Sequence, residues 1–358
     1  MKKYNFLITP VNGRNTGTEI YHSLKLTSLH KKIAVTDIRE FSYGNHLNEK
    51  FYLQPFASLS EKYMETVKKI IRKEGIDVLI PGSDPELKII SRERKTLEMM
   101  GVRILINSAE VIDTCLDKNK TVEFLRKYNF TFPLTVAFNP KKSSDKEVVK
   151  HILNEMKYPF IIKPNTEHGG SSNTSLVQDI SDWNVFYKNA KGNTSSFIAQ
   201  EYIDAPEGEF TLGIMSDTNA KIISSFALRR DLTDPTSVKM RVPNRYKNRI
   251  KSDYLIVSTG ISQGVSGDFK AIRKFGENVA EALNSIGPLN IQGRYLNGKF
   301  YIFEINPRFS ATTFIRSSLG HNDVDLIFNS IVKGINLGQQ KYKFCSVVRG
   351  KDLIYKKI

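Results

Sequence analysis

Cysteine is scarce in this chain: two in 358 residues, Cys115 and Cys345, far apart and in unremarkable surroundings. No CxxC or mixed Cys/His spacing is present, so the sequence supports neither a zinc site nor a disulfide framework and fits a reducing compartment. Long apolar runs are missing too. After Lys2 and Lys3 the stretch FLI is broken by Thr9, Pro10, Asn12 and Gly13, too short for a signal h-region, and no run is long enough to cross a membrane. The expectation is a soluble, cytoplasmic protein with no membrane partner. G-x-G-x-x-G is absent, and the glycine-bearing loop PVNGRNTG is a weak dinucleotide signal in its place. G-x-x-x-x-G-K-[ST] is absent as well, which excludes a P-loop. No internal repeat or low-complexity tract appears, and no Ser–His–Asp or Cys–His set stands out as a nucleophile.

What is abundant is positive charge, 53 basic against 37 acidic residues, a net +16. The basic residues are spread over the whole chain, without an Arg-rich tail or a nucleic-acid module, so nucleic acid is not the expected partner. Their densest cluster is VKMRVPNRYKNRIK (238–251), where Lys239, Arg241, Arg245, Lys247, Arg249 and Lys251 all take odd positions. This segment reads either as a solvated strand face or loop, or as a lid over an anionic ligand. A nucleotide accounts for the charge about as well as a polyanion does.

The length exceeds one ordinary domain, and 40% hydrophobic content is enough for a real core. Over the first hundred residues strand-like segments (4–10, 32–38, 76–82, 102–107) alternate with helix-like ones (18–29, 60–74), the pattern of a parallel α/β sheet. PGSDPEL puts Asp84 and Glu86 just past a strand's carboxyl end, where open α/β sheets bind ligands. Helix capping by Ser83 or Asp84 ahead of Pro85 explains the same residues. A helical stretch, 108–129, breaks near Asp117–Lys118, and the second half carries strand-like segments at 158–164, 174–177, 197–203, 208–216 and 220–230. A helix (268–285), a hairpin (290–308), a last helix (322–334) and a strand-like piece (343–350) complete the chain.

Three stretches carry chemistry. In IIKPNTEHGGSSNTSL, Lys163 leaves a strand and a loop with Gly169, Gly170, Ser171 and Ser172 follows. The glycines let backbone N–H groups converge on one point, the serines add hydroxyl donors, and the lysine adds a point charge: a phosphate cradle, or a hairpin loop beside a lysine. His168 next to it is a loop histidine or a further phosphate donor. In FIAQEYIDAPEGEF a strand runs through Gln200, Glu201, Tyr202 and Ile203 into a turn and then Glu209. A strand edge freed there offers backbone groups to a purine, with Glu209 as acceptor for ribose hydroxyls. In YIFEINPRF, Glu304, Asn306 and Arg308 share one strand face, and Pro307 closes the strand. A carboxylate, an amide and a guanidinium side by side read as a phosphate or metal site.

In this order the pieces resemble the ATP-grasp superfamily, most closely the branch shaped like one half of the carbamoyl-phosphate synthetase large subunit. The match runs from the N-terminal α/β domain to about residue 340: the Asp117–Lys118 pair, the strand lysine Lys163, the loop Gly169 to Ser172, the hinge Gln200 to Ile203, the acid Glu209, and the E-x-N-P-R strand with Gln292. The resemblance implies an α/β fold, α+β in its second half, with a parallel N-terminal domain (1–112), a small lobe bearing the glycine loop (113–195), a large lobe with the metal site (196–340) and a C-terminal extension (341–358). It implies that Lys118 and Lys163 hold the α- and β-phosphates of ATP and that the glycine loop closes over the β- and γ-phosphates. Gln292, Glu304 and Asn306 would hold Mg²⁺, with Mn²⁺ as a substitute. Arg308 and Arg294 would face the transferred phosphate and the substrates, together with Arg14, Asp84 and Glu86 of the N-terminal domain. The implied reaction is ADP-forming ligation of a small carboxylate, an amino acid included, to an amine through an acyl phosphate; a homodimer is compatible with it, and an ATP-binding protein without ligase chemistry is the alternative. The chain departs from the synthetase in having one copy of the unit, no glutaminase signature, Gln292 where some relatives place a second metal carboxylate, and no glycine after Arg229–Arg230.

The hairpin register follows from its chemistry. A two-residue turn at Asn297–Gly298 would pair Leu296 with Lys299 and set Gln292 and Glu304 on opposite faces. A three-residue loop, Leu296 to Gly298 with a bulge at Gly298, sets them on one face. It leaves Phe300 and Ile302 to floor the adenine, with Ile291, Tyr295, Tyr301, Phe303 and Ile305 on the core side. The bulged loop is therefore the expectation.

Overall fold

The structure is a computed structural model that describes residues 2–13, 15–166, 173–190, 196–349 and 353–357. The glycine loop Gly169 to Ser172, His168 and Arg14 lie outside the described residues.

The N-terminal unit is a parallel five-stranded sheet in the order Lys50–Leu53, His30–Asp37, Tyr4–Thr9, Val78–Pro81, Arg103–Ile104. Alternate residues of its central strands feed two cores: Phe6, Ile8 and Val35 on one side, Leu7, Ala34 and Leu79 on the other. This is the layering that a sheet buried on both faces requires. Helix Thr16–Lys25 covers one face, and helices Ser60–Glu74 and Asp84–Arg92 the other. The break expected near Asp117 is present: Ala109–Leu116 ends there and Lys118–Lys127 begins, with the Asp117 carboxylate capping the amides of Asn119 and Lys120.

Beyond it stands a four-stranded antiparallel sheet in the order Thr135–Phe138, Phe197–Glu201, Phe160–Pro164, Ser175–Val177. Helices Asp145–Glu155 and Ile180–Ala190 bury Trp183, Phe186 and Ile152 against it. A seven-stranded sheet follows, in the order Lys299–Asn306, Pro288–Leu296, Glu209–Ser216, Ile222–Arg230, Gly264–Ser266, Cys345–Arg349, Leu353–Lys357. The C-terminal residues, expected as an extension, thus complete this sheet, and Arg349 returns to the first helix of the chain, pairing with Glu19 at 2.8 Å. The basic segment forms a two-stranded ribbon, Val238–Pro243 with Tyr254–Ser258, whose Met240, Val242, Leu255 and Val257 pack on Ile161 and Tyr202. By its packing it belongs with the small sheet.

The hairpin corrects the expected loop. Leu296 pairs with Lys299 across a two-residue Asn297–Gly298 turn, with φ of 51° and 74°, the left-handed pair that a right-twisted hairpin favours. The bulge lies further along, between Gln292 and Gly293: Gly293 opposes Ile302, Gln292 opposes Glu304, and Phe303 is the extra residue. Gln292 and Glu304 therefore do share a face, but for a different reason. Phe300 and Ile302 turn into the core at 1% and 2% exposure, so neither floors the cleft, and Phe303 faces it instead.

Candidate active site

The small and large sheets enclose a cleft lined by Lys118, Lys163, Gln200 to Ile203, Glu209, Gln292, Arg294, Phe303 and Glu304. Local chemistry sets the two lysines. Asp117 Oδ1 accepts from Asn165 Nδ2 at 3.1 Å, and Asn165 Oδ1 accepts from the Asn119 amide at 3.0 Å. Asn165 stands two residues beyond Lys163, so the aspartate ties the start of the Lys118 helix to the strand that carries the second lysine. Lys163 donates to Gln200 Oε1 at 2.9 Å and lies 4.9 Å from the centre of the Phe303 ring. Burial pushes its ammonium down to about 8, with Lys118 adding to the shift and Glu304 opposing it.

The hinge is clamped from behind. Arg294 donates Nε to Glu209 Oε2 at 2.9 Å, Nη1 to the Ile203 carbonyl at 2.7 Å and Nη2 to the Ile256 carbonyl at 2.7 Å. Its guanidinium also covers the Tyr202 ring at 4.8 Å. Protein acceptors bond each of its three nitrogens, so Arg294 braces the hinge while also lining the cleft. Arg230, to which the sequence pattern assigns no role, holds the other Glu209 oxygen at 2.7 Å and reaches the carbonyls of Thr259 and Ile261. Burial acts to raise Glu209, but the two guanidiniums outweigh it and keep the carboxyl below its usual range. One buried carboxylate thus organises the hinge, the basic ribbon and the strand bearing Gln292. Glu201 also lines the cleft, and its carboxylate accepts from the Leu134 amide at 3.3 Å.

At the strand end Gln292 stands opposite Glu304 and Asn290 opposite Asn306. The Asn290 amide oxygen accepts from Thr211 at 2.8 Å. The donor set is one carboxylate and amide oxygens, and the described residues contain no group of three or more His, Cys, Asp or Glu placed to hold a metal ion. Oxygen donors with few charges suit a hard cation that keeps phosphate ligands, and Mg²⁺ fits; a thiolate- or imidazole-seeking ion does not. Arg308 donates Nε to Asp84 Oδ1 at 2.6 Å, Nη2 to Asn306 Oδ1 at 3.2 Å and Nη1 to the Phe309 carbonyl at 2.9 Å. Burial acts to lower its pKa, but Asp84, more than Glu304, outweighs burial and raises it, so the arginine stays charged. Asp84 also lines a smaller cavity with Lys118, Glu304 and Asn306, so the carboxyl end of the N-terminal sheet borders the site.

The basic segment mostly meets the protein's own groups. Arg245 pairs with Asp179, Lys247 with Asp253 at 2.8 Å, Arg249 donates to the Lys157 carbonyl at 3.3 Å, and Arg241 stacks on Tyr254. Its ribbon contributes Ile256, Val257 and Ser258 to the cleft wall.

A family model described as ATP-grasp domain matches residues 115–312, and one described as PylC-like, N-terminal domain matches residues 6–105. The chain is 23% identical over 278 residues to the carbamoyl phosphate synthase large chain of Gemmatimonas aurantiaca, a match that covers 76% of this chain and 23% of that one. It therefore spans about a quarter of the length of that relative. Its fold is similar to N5-carboxyaminoimidazole synthetase from Staphylococcus aureus complexed with ADP, with a TM-score of 0.70 at 15% identity over 98% of this chain and 83% of that one. It is also similar to an L-amino acid ligase from Bacillus licheniformis, with a TM-score of 0.64 at 17% identity over 93% and 75% of the two chains. At these identities the two structures speak for the fold. No helix among the described residues is long and apolar enough to cross a membrane.

Proposed function

The chain belongs to the ATP-grasp family, and from that premise we propose that it is an ATP-dependent ligase that phosphorylates a small carboxylate and joins the acyl group to an amine, releasing ADP. The observation that carries the reading is the convergence of Lys118, Lys163 and Glu304 in one cleft, with Arg308 paired to Asp84, which lines the smaller cavity that shares Lys118 and Glu304. A free carboxylate is a poor electrophile because its charge is delocalised; a phosphate on one oxygen turns that oxygen into a leaving group. The protein's part is positioning and charge neutralisation.

In this reading Lys163 and Lys118 bind the phosphate chain, and the hinge held by Arg294 takes the purine edge over the Phe303 ring. Gln292, Glu304 and Asn306 would hold Mg²⁺, which neutralises phosphate charge when bound. Arg308 presents forked donors to the γ-phosphate and the acyl oxygen, geometry that a guanidinium supplies and an ammonium does not. The residues of the glycine loop, Gly169 to Ser172, complete the phosphate site. The substrates, a carboxylate and an amine, meet at the carboxyl end of the N-terminal sheet beside Asp84.

Purified protein incubated with MgATP and a matrix of small carboxylates and amines should release ADP and phosphate only for the matched pair. AMP and pyrophosphate as products would refute the acyl-phosphate route.

A further inference from the structure

Ser83 stands at the N-cap of helix Asp84–Arg92, yet its hydroxyl makes no capping bond to that helix. It turns instead to Glu86 Oε2 at 2.8 Å. Glu86 is 3% exposed, and its other oxygen accepts from Gln54 Nε2 at 2.5 Å. Tyr63 and Thr9 also reach the carboxyl with their hydroxyls. Of the groups that surround it, Tyr63 from helix Ser60–Glu74 is titratable, Thr9 and Gln54 are neutral, and two residues earlier Asp84 carries Arg308. Glu86 is a buried acid in the first turn of that helix, set in a packed polar nest two residues after Asp84, the partner of Arg308. An apolar side chain would fill the space at lower desolvation cost.

We propose that Ser83 and Glu86 form a proton relay that deprotonates the amine substrate, which therefore enters as a cationic ammonium. This rests on the ligase reading above. Ser83 is the partly exposed member, next to Asp84, which lines the cavity shared with Glu304 and Asn306. The ammonium passes one proton to Ser83 Oγ while the Ser83 hydroxyl proton moves to Glu86 Oε2. The neutral nitrogen then attacks the acyl carbon, the N–C bond forms, the C–O bond to phosphate breaks, and phosphate leaves with that electron pair and takes up the second proton that the nitrogen sheds on becoming an amide. Glu86 afterwards returns its proton to solvent.

Two features suit Glu86 to the task. Burial raises its carboxyl to about 7, close to the working range of a general base, while the bonds from Ser83 and Gln54 hold it back from rising further. The buried Gln54 Oε1 has no partner among the described residues. Turning that amide over gives a protonated Glu86 an acceptor, so the nest accommodates both states of the carboxyl.

Hydroxylamine separates the relay from the chemistry before it, because it is already a neutral nucleophile near pH 7 and traps an acyl phosphate as hydroxamate. Wild type, Glu86→Gln and Ser83→Ala would each be assayed with MgATP and the carboxylate panel, against hydroxylamine and against ammonium, glycine and lysine. Both variants should keep hydroxamate formation within about twofold of wild type and lose about 100-fold in ligation to the cationic amines. The wild-type ligation rate should fall as pH drops through about 7, where Glu86 takes up its proton, and this limb should vanish in Glu86→Gln. Equal effects on both nucleophiles, an unmoved pH limb, or hydroxamate without ligation to any cationic amine overturns the relay. No hydroxamate from wild type refutes the acyl-phosphate reading itself, and the relay falls with it. Ser83→Ala keeps the experiment decisive if Glu86→Gln is poorly folded, since its hydroxyl contributes no cap.

Discussion

At the residue scale, the proposed reading divides the work of the cleft between two cations. Arg308 is fastened through three directions of its guanidinium, to Asp84, Asn306 and the Phe309 carbonyl. A lysine keeps the charge but cannot span those acceptors. Arg308→Lys should leave ADP affinity within about threefold while turnover falls about 100-fold, a split read by calorimetry against steady-state rates. Similar small effects on both would make Arg308 structural. Lys163 sets a pH dependence with a definite sign. In the proposed reading its protonated form binds phosphate, and burial lowers its pKa to about 8, so nucleotide binding would favour protonation. ADP affinity should therefore weaken as pH rises through about 8, with proton uptake on binding above it. Lys163→Met should bind weakly with that dependence gone; a retained pH slope would assign it to another group.

At the scale of elements, the hairpin shows what was legible and what was not. Glu304, Asn306 and Arg308 at alternate positions announced a polar strand face, and the pairing of Gln292 with Glu304 agrees with it. The bulge went to the wrong place because alternation alone does not say where an extra residue sits. Asn297–Gly298 is a strong two-residue turn, and the strand resolves the conflict at Phe303. Gly293 is the partner this requires: a Cβ there would lie 2.6 Å from the Phe300 ring and 2.8 Å from the Tyr301 carbonyl. Gly293→Ala should cost about 1–3 kcal/mol, seen as a lower denaturant midpoint with an unchanged m-value. Wild-type stability would contradict the bulge. Arg230 and the clamp on Glu209 were hidden for a related reason. Their contacts run to backbone carbonyls of distant segments, which no local pattern in RRDLTDPTS encodes.

At the scale of the molecule, the α/β then antiparallel organisation was readable from strand–helix alternation and the order of motifs. The way the chain end closes it was not. Glu19 sits in the first helix and Arg349 in the sixth strand of the large sheet, 330 residues apart, joined at 2.8 and 3.3 Å. Burial raises the Glu19 carboxyl, and Arg349 is the largest influence opposing that rise. Arg349→Ala would leave a buried acid without its partner and should cost about 3 kcal/mol, lowering the melting temperature while ADP affinity holds. An unchanged melting temperature would show the contact to be incidental. The central claim concerns the reaction, and isotope transfer tests it most directly. With the matched carboxylate labelled by ¹⁸O in both oxygens, one labelled oxygen should appear in the inorganic phosphate, with ADP as the nucleotide product. Label in AMP, or unlabelled phosphate, would contradict an acyl phosphate.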